Sequence, residues 1–196
     1  MNKRFLGVVF LTITAFMTAF LVYDAGLNPV HPAKPIVSVA TSSYKGPTSN
    51  EKTFDKHEHC VNNVHCKALS QALFHEARNQ STKAQMMVAA VILNRRDALQ
   101  WPDDVYNVVH QKRNGVCQFS YVCQLTKSEQ QRRIAKEPKA WKKSIDIAYK
   151  AYYYENVVST KADHYYNPKR VKRKPKFAYA YEYVGKYGDH VFYASN

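Results

Sequence analysis

The chain has 196 residues, room for one domain with appendages rather than several, and its 45% hydrophobic content suits a globular core. Its formal net charge of +14 demands a polyanionic setting or partner. Nucleic acid, anionic lipid and bacterial envelope all qualify, and charge alone does not choose among them. The 15 tyrosines suit a packed core first and sugar-stacking platforms second.

Met1-Asn2-Lys3-Arg4 is a basic start, and Phe5 to Tyr23 is an uncharged, mainly apolar run. At about 1.5 Å per residue such a run crosses a hydrocarbon core of roughly 30 Å. Tyr23-Asp24-Ala25 is a poor cleavage site, because Tyr stands where a small residue is wanted. The run therefore predicts a single uncleaved transmembrane anchor over residues 1–25. Lys3 and Arg4 keep its start in the cytoplasm, which puts the rest in the periplasm. Residues 26–56, with Pro29, Pro32, Pro35 and Pro47, read as a flexible linker, and residues 57–196 as the folded domain.

Four cysteines follow as two pairs of equal spacing, Cys60 with Cys66 and Cys117 with Cys123. On an exported chain they predict two local disulfides. A zinc site built on His57, His59, Cys60, His65 and Cys66 is the alternative, and the sequence permits three cysteine pairings.

At helical spacing Leu69, Ala72, Leu73, Glu76 and Ala77 share one face. Glu76 thus sits on the apolar side near a helix C-terminus, where burial and the negative end of the helix dipole both disfavour its charged form. A Glu so placed stays protonated near neutral pH, as a general acid must. A carboxylate that simply rotates out to water is the blander alternative. Asn79-Gln80 breaks the helix, and Thr82-x-x-Gln85 predicts a capping box opening the next one, through Arg95. Met86, Met87, Ala90, Val91 and Leu93 read as core there.

Asp103 and Asp104 open a short helix carrying Val105, Val108 and Val109. Asn114 to Gln124 reads as a loop or hairpin holding Gln118, Phe119 and Ser120. Helices are expected from Ser128 to Ile134 and, with Pro138 in its first turn, from Pro138 to Glu155. Lys169 to Lys176 is the most basic run. It lies in no nucleic-acid motif, so it predicts contact with an anionic surface. Alternation through Tyr179, Tyr181 and Tyr183, a turn at Gly185 to Gly188, and His190 to Tyr193 predict a C-terminal β-hairpin.

Several of these stretches fall in a familiar order. His75-Glu76-Ala77-Arg78, Gln85, Ala89 to Arg95, Trp101-Pro102, Val105, Val108-Val109, Gln118-Phe119-Ser120, His164 to Pro168 and Gly188 to Tyr193 resemble the signature of the spore cortex-lytic cell wall hydrolases, the SleB/CwlJ-type family. The resemblance runs from about Cys66 to Tyr193. It departs at Asn79-Gln80, where the family often has Gly-Glu, and near Phe177, where the family commonly has Trp.

The resemblance implies a mainly helical α+β fold, a lysozyme-like domain with a small antiparallel sheet. It also implies peptidoglycan cleavage between N-acetylmuramic acid and N-acetylglucosamine, with Glu76 as the catalytic acid. In that context Gln85, Gln118, Ser120, Tyr166 and Asn167 are the candidate substrate contacts. No metal, cofactor or nucleic acid is called for, and the protein is expected as a monomer. Asp163 is the best available companion carboxylate. Because no second one stands at a motif position, the reading leans to a lytic transglycosylase rather than a two-carboxylate muramidase. A zinc amidase cutting the stem peptide from the glycan and a non-catalytic basic envelope- or nucleic-acid-binding protein are the alternatives.

Overall fold

The computed structural model describes residues 54–154 and 158–195. The anchor and linker expected over residues 1–25 and 26–56 lie outside the described residues, apart from the last three linker positions. No helix among the described residues is long and apolar enough to cross a membrane.

Local chemistry starts most of the helices. Asp55 accepts from His57 N to open α1 (Lys56–Asn62), and Asn63 accepts from His65 N and Cys66 N to open α2 (Val64–Ala77). A Cys60–Cys66 disulfide staples the two together. Ser81, not Thr82, caps α3 (Thr82–Asp97) by accepting from Ala84 N. The expected Thr82-x-x-Gln85 capping box is therefore absent, because the helix starts one residue earlier than the pattern suggested. Asp104 caps α4 (Val105–His110).

A small hairpin, β1 (Lys112–Arg113) and β2 (Val116–Cys117), turns at Asn114 and Gly115. Both turn residues have positive φ (50° and 77°), as a tight two-residue hairpin turn needs. A one-and-a-half-turn helix, α5 (Ser120–Gln124), follows, and the Cys117–Cys123 disulfide ties it back to β2. Thr126 and Glu129 form a reciprocal capping box on α6 (Lys127–Lys136), and Pro138 sits in the first turn of α7 (Pro138–Tyr153).

The last segment differs from the expectation in two ways. His164–Tyr166 forms a strand, β3, and Phe177–Ala180 forms a helical turn, α8, ahead of β4 (Glu182–Tyr187) and β5 (His190–Ala194). The expected tyrosine alternation from Phe177 gives way because Phe177 and Tyr181 both pack on His164, at 5.0 and 4.8 Å between ring centroids. The antiparallel sheet runs β3-β5-β4, pairing His164 with Tyr193 and Tyr187 with His190. Across the described residues the fold is α+β and mainly helical, as expected.

The core forms around α2, whose Leu69, Ala72, Leu73 and Phe74 are all fully buried. Ile145 and Ala148 of α7, Val88 and Ile92 of α3, and Val108 and Val109 of α4 close over it. Burial of each such aliphatic chain contributes about 1.5–3 kcal/mol. A helix wrapped on three sides fixes whatever its exposed edge carries, and that edge ends at Glu76.

Candidate active site

Glu76 is the penultimate residue of α2, with its carboxyl half-buried. Burial raises its pKa above the ordinary carboxylate value, opposed only in part by the charge of Arg170. It lines two adjoining cavities, of about 240 Å³ and 180 Å³, and Asn167 and Arg170 are its companions in both.

The larger cavity is also lined by Gln118, Phe119, Ser120, Tyr165, Tyr166, Arg95 and His190. Strand β3 and the turn after it supply Tyr165, Tyr166 and Asn167. The disulfide-bound loop at the start of α5 supplies Gln118 and Ser120. Glu76 is the one carboxylate among these lining residues. Two buried phenols feel its charge: burial first, then Glu76, raises the pKa of both Tyr165 and Tyr121. The acid is thus flanked by rings that stay neutral and protonated.

The smaller cavity adds His75, Arg78, Gln80, Lys169 and Asp189. Asp189 is already engaged, accepting from Lys169 Nζ at 2.7 Å and Gln80 Nε2 at 3.2 Å. These bonds hold its carboxyl below the usual range. His75 stacks on Tyr121 at 4.4 Å, and burial, then Arg78 and Arg133, lowers its pKa to about 4, so it is neutral at pH 7.

Four of the five expected substrate contacts, Gln118, Ser120, Tyr166 and Asn167, share the larger cavity with Glu76. Gln85 does not. It is fully buried in α3, and its Nε2 donates to the main-chain oxygens of Gln80 (3.0 Å) and Arg78 (3.4 Å). A side chain sealed inside the protein cannot touch a glycan, so Gln85 is corrected to a brace for the turn that follows Glu76.

Asp163 is placed away from both cavities. Burial alone would raise its pKa, but hydrogen bonds from His164 and from the Ser195 main chain and hydroxyl outweigh it and hold the carboxyl at about 2. That carboxylate clamps the C-terminal end of the sheet and does not face the cleft. Arg95, Tyr165, Arg170 and His190 escaped the sequence reading as individual site residues. Three of them lie within quoted motifs, but only the folded sheet shows that they converge on Glu76. A third cavity, about 170 Å³ between Met86 and Thr160, has Asp97 as its carboxylate, which is exposed and bonded to Arg96.

A family model described as cell wall hydrolase matches residues 79–193. The chain belongs to the cell wall hydrolase family, and it is an enzyme that cleaves peptidoglycan. The matched stretch opens just after Glu76 and takes in the rest of both cavities except His75, Ala77 and Arg78. No curated protein matches the chain. Among solved structures it is similar to the catalytic domain of the germination-specific lytic transglycosylase SleB from Bacillus anthracis. There the identity is 24% and the TM-score 0.45, over 67% of this chain and 94% of that one. It is also similar to the catalytic domain of the Bacillus cereus SleB protein, at 22% identity and a TM-score of 0.44, over 76% of this chain and 99% of that one.

Proposed function

We propose that the enzyme is a lytic transglycosylase that cuts the β-1,4 bond between N-acetylmuramic acid and N-acetylglucosamine, with Glu76 as its acid and then its base. The observation that carries this is that Glu76 is the one carboxylate lining the larger cavity. Two-carboxylate glycosidases need a second Asp or Glu facing the scissile bond at a defined separation. Here the larger cavity holds one carboxylate, Asp189 in the smaller one is bound by Lys169 and Gln80, and Asp163 is committed to Ser195 and His164.

Protonated Glu76 gives its proton to the departing O4 of N-acetylglucosamine as the C1–O4 bond breaks. The 6-hydroxyl oxygen of the muramyl residue then bonds to C1, and its proton returns to Glu76. The cycle consumes no water and leaves a 1,6-anhydromuramyl end. Gln118, Ser120, Tyr166 and Asn167 hold the sugars in register beside the acid. The mass of the products released from purified peptidoglycan tests this reading. Anhydro-muramyl ends support it, and reducing muramyl ends contradict it.

The zinc amidase reading loses its two thiolate ligands, since Cys60 and Cys66 are joined to each other, and no group of three His, Cys, Asp or Glu side chains among the described residues is arranged to hold a metal. The uncharged run from Phe5 to Tyr23 supports a further proposal, that the domain is tethered to the inner membrane and works in the periplasm. A mature N-terminus found just after Ala25 would overturn the uncleaved tether.

A further inference from the structure

The larger cavity has an excess of positive charge that acid catalysis does not explain. Arg95, on α3, is 6% exposed and lines this cavity. Its Nε donates to the main-chain oxygen of Asp163 at 2.6 Å, and its guanidinium lies over the Trp101 ring at 4.3 Å. Among the described residues no carboxylate forms a direct ion pair with it: Asp163, whose charge favours the Arg95 cation, has its carboxylate committed to His164 and Ser195. Burial lowers the pKa of Arg95 to about 10, so it remains charged at neutral pH. Arg170 enters the same cavity from the turn after β3, where its main-chain N–H donates to Asn167 O. It too has no ion-pair partner among the described residues. The cavity wall thus carries two guanidinium cations against the single carboxyl of Glu76.

A buried cation without a counter-charge is unfavourable, and the penalty is relieved when a ligand brings the anion. Guanidinium groups present a planar fork that matches a carboxylate. We propose that Arg95 and Arg170 form a subsite for a carboxylate carried by the muramyl residue of the substrate. The inference rests on the peptidoglycan reading. The muramyl residue differs from N-acetylglucosamine by a 3-O-lactyl ether, which ends in a carboxylate when free and carries the carboxylates of the stem peptide when amidated. A cationic subsite that reads this substituent fixes the register of the strand. It places the muramyl C1 at Glu76 and keeps the alternate glycosidic bond away from the acid.

The test uses the full-length protein and Arg170→Gln, which changes an exposed side chain. Arg95→Lys is the second variant, and circular dichroism checks that both fold. The substrates are glycan strands with intact stem peptides and peptide-free strands with free lactyl groups. Each is used untreated and after carbodiimide amidation of its carboxylates.

Amidation should raise the wild-type KM by about 10–100-fold, the cost of losing a charge-assisted hydrogen bond, with kcat changed much less. Arg170→Gln should show that raised KM on untreated strands and no further loss on amidated ones. A loss confined to peptide-free strands assigns the lactyl carboxylate, and one confined to intact strands assigns the stem peptide. If amidation and Arg170→Gln act independently on both substrates, or amidation has no effect, the subsite is wrong. Product masses are read in the same digests. Reducing ends with full carboxylate dependence would overturn the transglycosylase reading while leaving the subsite standing.

Discussion

Gln80 and Asp189 meet through two hydrogen bonds: Gln80 Nε2 donates to Asp189 Oδ2 at 3.2 Å, and Asp189 N donates to Gln80 Oε1 at 2.9 Å. One lies in the turn between α2 and α3, the other in the turn between β4 and β5. The helix end that carries Glu76 is thereby locked to the sheet that supplies the other wall of the cleft. Gln80 is anchored further, because its main-chain oxygen accepts from Gln85 Nε2 and Lys143 Nζ.

Gly188 is the residue that permits this approach. Its φ is +60°, and a Cβ there would lie 2.2 Å from Gln80 Oε1. Gly188→Ala should break the paired contact and strain the turn, costing about 1–3 kcal/mol. Thermal unfolding should register that loss, and activity should fall in protein that is still folded.

His75 predicts an acid-sensitive fold. Its folded pKa, about 4, lies below the ordinary 6.5 because burial disfavours the cation. Between those values the unfolded chain binds a proton that the folded one does not, so stability falls as pH drops from 6.5 to 4. His75→Phe keeps a ring against Tyr121 and should flatten the pH dependence of the melting temperature in that window. An unchanged slope would contradict the assignment.

Asp163 acts in the opposite sense and at lower pH. Its folded pKa of about 2 lies below the ordinary 3.8, so the stability it contributes is present above 3.8 and is lost as pH falls toward 2. Asp163→Asn should cost about 2 kcal/mol at neutral pH. The folded fraction should keep nearly normal kcat. A selective collapse of kcat without loss of stability would restore Asp163 as a catalytic group.

Removing the second disulfide should affect both stability and binding. Cys117→Ala with Cys123→Ala frees the segment that presents Gln118 and Ser120 to the cleft. For so short a loop the chain-entropy cost is about 2 kcal/mol. The KM for glycan strands should rise more than kcat falls, because the loop positions substrate and does not transfer the proton.

Some of this architecture is written locally in the sequence and some is not. Glu76 could be placed because a 3.6-residue period fixes which face it shares with Leu69 and Leu73. Two short, equal spacings on a chain read as exported suggest local cysteine pairs, but three pairings stay open in the sequence and only the fold joins Cys60 to Cys66 and Cys117 to Cys123. Gln85 misled because an amide inside an apolar helix reads the same whether its partner is a sugar or a carbonyl, and here the partners are the carbonyls of the turn it follows. The tyrosine alternation after Phe177 misled because ring packing on His164 overrides a two-residue period. Arg95 and Arg170 were invisible as a pair, since one lies within a helix signature and the other within a basic run, and only the sheet brings them into one cavity.

The central claim is that Glu76 is the proton donor and acceptor. It is tested most directly by digesting purified peptidoglycan with wild-type enzyme and Glu76→Gln side by side and weighing the products. The substitution keeps the side chain's size and removes its transferable proton. Since a positioned acid contributes about 10²–10⁴-fold, the folded variant should still bind peptidoglycan and release fewer products by that factor. The wild type should release anhydro-muramyl ends. Near-normal release by folded Glu76→Gln would contradict the account.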